Sequence, residues 1–174
     1  MNIPIFVSHP SALSNEQQLV MDFIMQELAF QHLEPRALGQ SDYPTLLPLR
    51  EVLSISRHCV GGLILGFKQF ETKTGIWKAG TNRELVQEGP VSFPTPWNQL
   101  EAGILYTLGY PILIFREEGV VGGIFDMGTS DIYIHRLPTG ALNEADKKGI
   151  REVFLRWAAR VRRHYYRDYE VGDN

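Results

Sequence analysis

Three features of the sequence predict an α/β fold built on an open parallel sheet. Short, almost wholly apolar runs, "IPIFVS" (3–8), "CVGGLILGF" (59–67) and "YPILIF" (110–115), have the length and unbroken hydrophobicity of strands covered on both faces. Segments with helical spacing and recognisable helix starts lie between them. At 174 residues the chain suits one domain, 1–174, around a sizeable core.

Each element has its own justification. After the first strand, "HPSALS" is a loop, and Ser14 with Gln17 three residues on forms a capping-box start. The helix that follows, "NEQQLVMDFIMQELAFQH", carries Leu19, Val20, Phe23, Ile24 and Leu28 as its apolar stripe. "LEPRAL" (33–38) reads as a second strand, and Pro35 confines it to an edge. "GQSDYPTLLP" is a loop, "LLPLREVLSISRH" a short helix, and 59–67 the third strand.

Residues 68–94 show no clear period and read as a long insert loop, of the kind that serves as a lid or binding loop. Thr95 then caps a third helix, Pro96 occupies its first position, and Gly109 ends it. "REEGVVGGIFDMGTS" is a loop with one helical turn, in which Asp126 begins a turn. "DIYIHRL" (131–137) alternates, as expected of the other edge strand. A long amphipathic helix closes the chain, with Ile150, Val153, Phe154, Trp157 and Val161 inward.

Five strands alternating with helices give a flavodoxin-like three-layer sandwich, a five-stranded parallel sheet in the order 2-1-3-4-5. Ligands in such sheets lie beyond the carboxyl ends of the strands, where the order reverses. That crevice falls between Ser8 and His9 on one side and Gly66 and Phe67 on the other.

Composition narrows the function. Net charge is −3 and the pI about 5.9, which argues against a general nucleic-acid binder. The one basic concentration, "RWAARVRRHYYR", reads as the solvated face of the last helix. The lone Cys59 excludes an intrachain disulfide or Cys-rich zinc site and suits a buried position at a strand head. No metal-ligand spacing links the five histidines. The sequence shows no secretory signal and no membrane-length apolar run, so the expected location is the cytoplasm.

The chemistry concentrates in "FPTPWNQLEAG" (93–103). Trp97 and Glu101 are four residues apart and share a helix face, with Asn98 beside them. An indole beside a carboxylate suits a substrate with a flat base and a sugar that becomes cationic. A carboxylate can stabilise or trap the oxocarbenium-like centre formed when an N-glycosidic bond breaks. "FVSHPSALS" puts Ser8 and His9 at a strand end before a helix, where backbone N–H groups can hold phosphate. Gly66 allows close backbone approach, and Phe67 and Phe70 are candidates to flank a base. There is no G-x-G-x-x-G, Walker A or G-x-S-x-G sequence.

Taken together, "IPIFVSHPS", "DYPTLLPLREVLSISRHCVGGLILG" and "TPWNQLEAG" resemble a bacterial TIR-type domain over roughly residues 3–137. NAD-consuming members of that family carry a W-x-x-x-E pattern, matched by Trp97 and Glu101. The resemblance implies Glu101 as the catalytic residue and NAD+ as substrate rather than cofactor. Ser8 and His9 would lie at the phosphate end, with Trp97 and Phe67 bordering the pocket and Asn98 assisting. It also implies a homo-oligomer, a separately encoded sensor or effector protein, and a role in antiphage immunity.

"EAGILYTLGYPILIF" is similar as well to the nucleoside 2-deoxyribosyltransferase group, whose catalytic Glu precedes small residues. The opening loop "SHPSALS" departs from the TIR pattern, where an acidic residue is common, and 68–94 is longer than usual. Nicotinamide leaves NAD+ without protonation, whereas a neutral base calls for a second acid. The first half offers Glu34, Asp42 and Glu51, none of them in the loop after the first strand, which favours NAD+. A non-catalytic module binding a nucleotide signal or a TIR partner is the remaining reading.

Overall fold

A computed structural model describes residues 2–37 and 47–171, with side chains to 167. The chain forms β1 (Ile3–Ser8), α1 (Asn15–Phe30), β2 (Leu33–Arg36), α2 (Pro48–Arg57), β3 (Gly62–Gly66), β4 (Phe70–Trp77), β5 (Leu85–Phe93), α3 (Pro96–Thr107), β6 (Ile112–Glu117), β7 (Ile134–Leu137) and α4 (Glu144–Val171). Five of the strands make one parallel sheet in the order β2-β1-β3-β6-β7, the flavodoxin-like arrangement. Pro35, opposite Ile5, sits in the edge strand β2, where its missing N–H breaks no inner ladder.

Strand alternation divides the interior into two layers. Ile3, Ile5 and Val7 of β1, Leu63 and Leu65 of β3, and Leu113 and Phe115 of β6 pack with α1 and α4. Phe6, Ile64, Ile112 and Ile114 face the other way, with Val52 and Ile55 of α2 and Ala102 and Leu105 of α3. Successive strand residues point to opposite faces, so each of the three central strands serves both cores and needs apolar residues almost throughout.

α1 starts at the reciprocal Ser14–Gln17 capping box. Its buried stripe is Gln17, Val20, Met21, Phe23, Ile24, Glu27 and Leu28, while Leu19 is 53% exposed. Leu19 is therefore corrected: Met21, one turn after Gln17, takes the inward place. Glu27 is buried, and Arg151 Nε of α4 donates to its Oε1 at 2.8 Å. That guanidinium also sits 5.3 Å from the centre of the Phe23 ring, so packing and charge together dock α4 on α1.

The largest correction concerns 68–94, which is not a loop. β4 and β5 pair antiparallel, with a register shift between Thr72 and Thr74. Most of the ribbon is solvent-exposed on both faces. No side is held against a core, so no alternation of polar and apolar residues is imposed, and the period-2 signal is absent. Its base is tied to the sheet's carboxyl edge: Ser92 N–H donates to Gly119 C=O at 3.2 Å and Val121 N–H to Ser92 C=O at 3.0 Å.

Smaller boundary changes follow capping and pairing. The third strand begins at Gly62, with Cys59 buried just before it, and the second ends at Arg36. Of the loop expected over 39–48, residues 39–46, including Asp42, fall outside the described residues, as does Leu38 of the expected strand, and Pro48 already belongs to α2. Gly109 has φ +72°, as a helix-ending glycine requires. Among the described residues no helix is long and apolar enough to cross a membrane.

Candidate functional site

The first turn of α3 explains why the sequence fixes this helix start so firmly. Thr95 Oγ1 accepts from Asn98 N–H at 3.2 Å, and Asn98 Oδ1 accepts from Thr95 N–H at 3.2 Å, while Pro96 fills a position that needs no donor. This box leaves the Asn98 amide nitrogen for another partner. Asn98 Nδ2 donates to Ser8 Oγ at 2.8 Å, and Ser8 Oγ–H donates to Glu101 Oε2. Both Asn98 and Ser8 are buried. The relay runs from the helix start, across the carboxyl end of β1, back to the helix one turn later.

Strand parity makes this contact possible. Ser8 shares its face with Phe6, which packs in the α2–α3 layer. The chain of dipoles points hydrogens toward the carboxylate and favours its ionised form. Burial opposes that and is the larger effect: it raises the Glu101 carboxyl from an ordinary 4.5 to about 7, with the Ser8 bond pulling it part of the way back. Glu101 thus sits near equal populations of acid and anion at neutral pH.

The other expected site residues divide. Trp97, four residues before Glu101 on α3, is 41% exposed and presents part of its indole to solvent. His9 is half-buried in the loop after β1, and its Nδ1–H donates to Pro10 C=O at 2.8 Å. Phe67 does not border the crevice. It is fully buried, with Leu63 and Leu65 in the α1–α4 layer. Its odd-numbered parity with those residues sends it away from α3, so its role is packing. Phe70 opens the ribbon strand β4, is 60% exposed, and lies 6.4 Å from the ring of its cross-strand partner Phe93.

Gly66 has the parity of Ser8, and a Cβ there would strike the Phe125 ring. Phe125 belongs to a short 3-10 turn, Gly123–Phe125, which Gln99 of α3 holds. Gln99 Nε2 donates to Gly122 C=O at 2.9 Å, and Ile124 N–H donates to Gln99 Oε1 at 2.9 Å. Arg116 supports the same turn, donating to Val120 C=O at 3.2 Å and to Phe125 C=O. Asp126 accepts from Gly122 N–H at 2.8 Å, the turn-forming role its sequence position suggests.

Sequence reasoning missed Glu117. This buried carboxylate ends β6 and accepts from Lys68 N–H at 2.6 Å and from Gln17 Nε2 at 2.9 Å. It ties the start of α1 to the exit of β3. The available signal was its place two residues after the apolar run "ILIF", close enough to fall within the same buried strand.

Cavity size does not select this site. A cavity of about 660 Å3 lies toward the amino ends of β6 and β7, and Glu101 is not among its walls. The half-buried carboxyl with its perturbed acidity and polar supports is the better guide to chemistry. Among the described residues no group of three or more His, Cys, Asp or Glu is placed to hold a metal ion. No family model, curated protein or solved structure matches the chain.

Proposed function

We propose that this protein is a TIR-like enzyme that cleaves the nicotinamide–ribose bond of NAD+, with Glu101 as the catalytic residue. The observation that carries the reading is the Glu101 carboxyl, half-buried beside the carboxyl end of β1 and supported by Ser8 and Asn98. In the reaction the C1′–N bond breaks and its electron pair neutralises the pyridinium nitrogen, so nicotinamide leaves without a proton. Glu101, ionised, stabilises or traps the positive ribosyl centre. Water then bonds to C1′ and releases one proton to solvent, giving ADP-ribose; attack by an internal nucleophile gives a cyclic or derived product instead.

A cation bound against Glu101 favours its anion, so substrate itself offsets the burial that keeps the free group half-protonated. The exposed part of Trp97 offers a face for a flat ring, and Ser8 and Asn98 act on the carboxylate rather than on substrate. The same reading includes a cytoplasmic homo-oligomer working with a separately encoded protein in antiphage immunity. The test incubates NAD+ with wild type and Glu101→Gln and follows products by mass spectrometry. Nicotinamide release by wild type alone supports the reading, and untouched NAD+ at high protein concentration removes it.

One observation favours a second reading, a nucleoside N-glycosidase or 2-deoxyribosyltransferase. A carboxyl with a pKa of about 7 retains a proton that a departing neutral base needs. A panel of deoxynucleosides in the same assay separates the two, because turnover of these with NAD+ intact assigns the site to base exchange or hydrolysis.

A further inference from the structure

The basic stretch of α4 has surroundings that its sequence does not announce. Arg156, Arg160, Arg163 and Arg167 follow one another at intervals of four, three and four, which sets them in a single helical stripe roughly 16 Å long. The cavity of about 660 Å3 is walled by Arg156 and Arg160 together with Tyr106, Tyr133 and Asp131. A second hollow of about 300 Å3 shares Tyr110 and Arg160 with it and continues to Arg163 and Arg167. The two form one groove between α4, the end of α3 and the approach to β7.

Charge and shape in this groove are unbalanced in a specific way. Arg156, Arg160 and Arg163 make no ion pair or hydrogen bond with any described residue, and Asp131 is the one carboxylate among the walls described. A run of arginines such as these three on a convex helix is ordinarily a solvated face. Here it overlooks a hollow furnished with rings. Tyr133 lies 4.7 Å from His135, and Tyr110 packs edge-on to His164 at 5.6 Å. Tyr106 and Tyr133 are more than half exposed, so they present free ring surface. Guanidinium forks match phosphate oxygens in pairs, aromatic faces match a flat base, and the volume is that of a small-molecule site.

We propose that this groove is a nucleotide-binding site separate from Glu101, with the base against Tyr106 and Tyr133 and the phosphates along Arg156, Arg160 and Arg163. Asp131 is positioned among the walls to accept from an amino group of the base or a ribose hydroxyl. A long nucleic acid fits less well, because the chain is acidic overall and its one basic concentration is this short stretch of α4. The two sites lie toward opposite ends of the strands, so occupancy here does not require turnover at Glu101.

Calorimetric titration of the full chain with ADP, ATP, tripolyphosphate and a short single-stranded RNA tests this. ADP and ATP are expected to bind, tripolyphosphate at least about tenfold more weakly, since it lacks a ring. Arg160→Glu should weaken ADP at least about tenfold and Arg160→Gln by less, with circular dichroism unchanged. Tyr133→Ala should weaken ADP but spare tripolyphosphate, and Glu101→Gln should leave ADP affinity as it was. The proposal is overturned if millimolar ADP and ATP give no binding, or if tripolyphosphate equals ATP. Binding of RNA without binding of mononucleotides overturns it too, as does loss of ADP binding in Glu101→Gln with Arg160→Glu unaffected.

Discussion

Replacing Glu101 with Gln should stabilise the protein, and the gain should depend on pH. The carboxyl titrates at 4.5 when unfolded and at about 7 when folded. Between those values the folded chain holds a proton that the unfolded chain has released, so this carboxyl's contribution to stability is most favourable below pH 4.5 and falls as pH rises through about 7. At about 1.4 kcal/mol per pH unit, the full loss is about 3 kcal/mol. Gln is neutral, similar in shape, and still offers an oxygen to the Ser8 hydroxyl. It should therefore match wild type near pH 4.5 and exceed it at pH 8. For a chain of 174 residues this corresponds to roughly 6–12 °C in Tm. Differential scanning calorimetry of both proteins across that range measures the difference directly. A constant offset, or a Gln variant less stable than wild type at pH 8, would refute the claim that burial dominates the carboxylate's environment.

Other outcomes follow from the same geometry. If NAD+ is the substrate, kcat/KM should rise with pH and level off above about 7, because the anion is the active form; a fall across that range in a pH–rate profile points instead to a proton donor. Ser8→Ala removes a bond that lowers the Glu101 pKa, so the midpoint of that profile should move up. It also leaves the buried Asn98 Nδ2 without its acceptor, with an expected loss of about 1–3 kcal/mol in urea unfolding. Gly66→Ala sets a methyl group into the Phe125 ring and should cost about 1–3 kcal/mol, whereas Gly75→Ala, with nothing nearby, should cost far less. Trp97→Phe should remove most of any fluorescence quenching caused by NAD+ if that indole meets the ring, leaving the signals of Trp77 and Trp157.

The central sheet was legible because its strands are covered on both sides. Runs such as "GLILG" and "ILIF" have no polar face to confuse the reading, and capping residues marked the starts of α1 and α3 to the residue. The β4–β5 ribbon was not legible, because exposure on both faces leaves pairing without a compositional trace. In the site, Glu101, Ser8 and Asn98 could be singled out from position in the fold. Their mutual hydrogen bonds depend on parity and on the angle at which α3 crosses β1, which spacing alone does not give. Phe67 shows the cost of naming residues by strand end without parity: its odd number already groups it with Leu63 and Leu65. Glu117 was passed over because a charged residue after an apolar run normally marks a loop, whereas here it completes the strand and is buried.

The doubled duty of the Asn98 amide has a consequence for any genetic dissection of the site. Its oxygen organises the opening of a helix while its nitrogen steadies a hydroxyl on a neighbouring strand. No replacement side chain reproduces both ends in that geometry; Asp keeps the oxygen and brings an unwanted charge, and Leu keeps only the bulk. Inactive variants at this position will therefore be misfolded at the helix entrance as well as miswired beside Glu101. Screens that score activity alone will overstate its share in the chemistry.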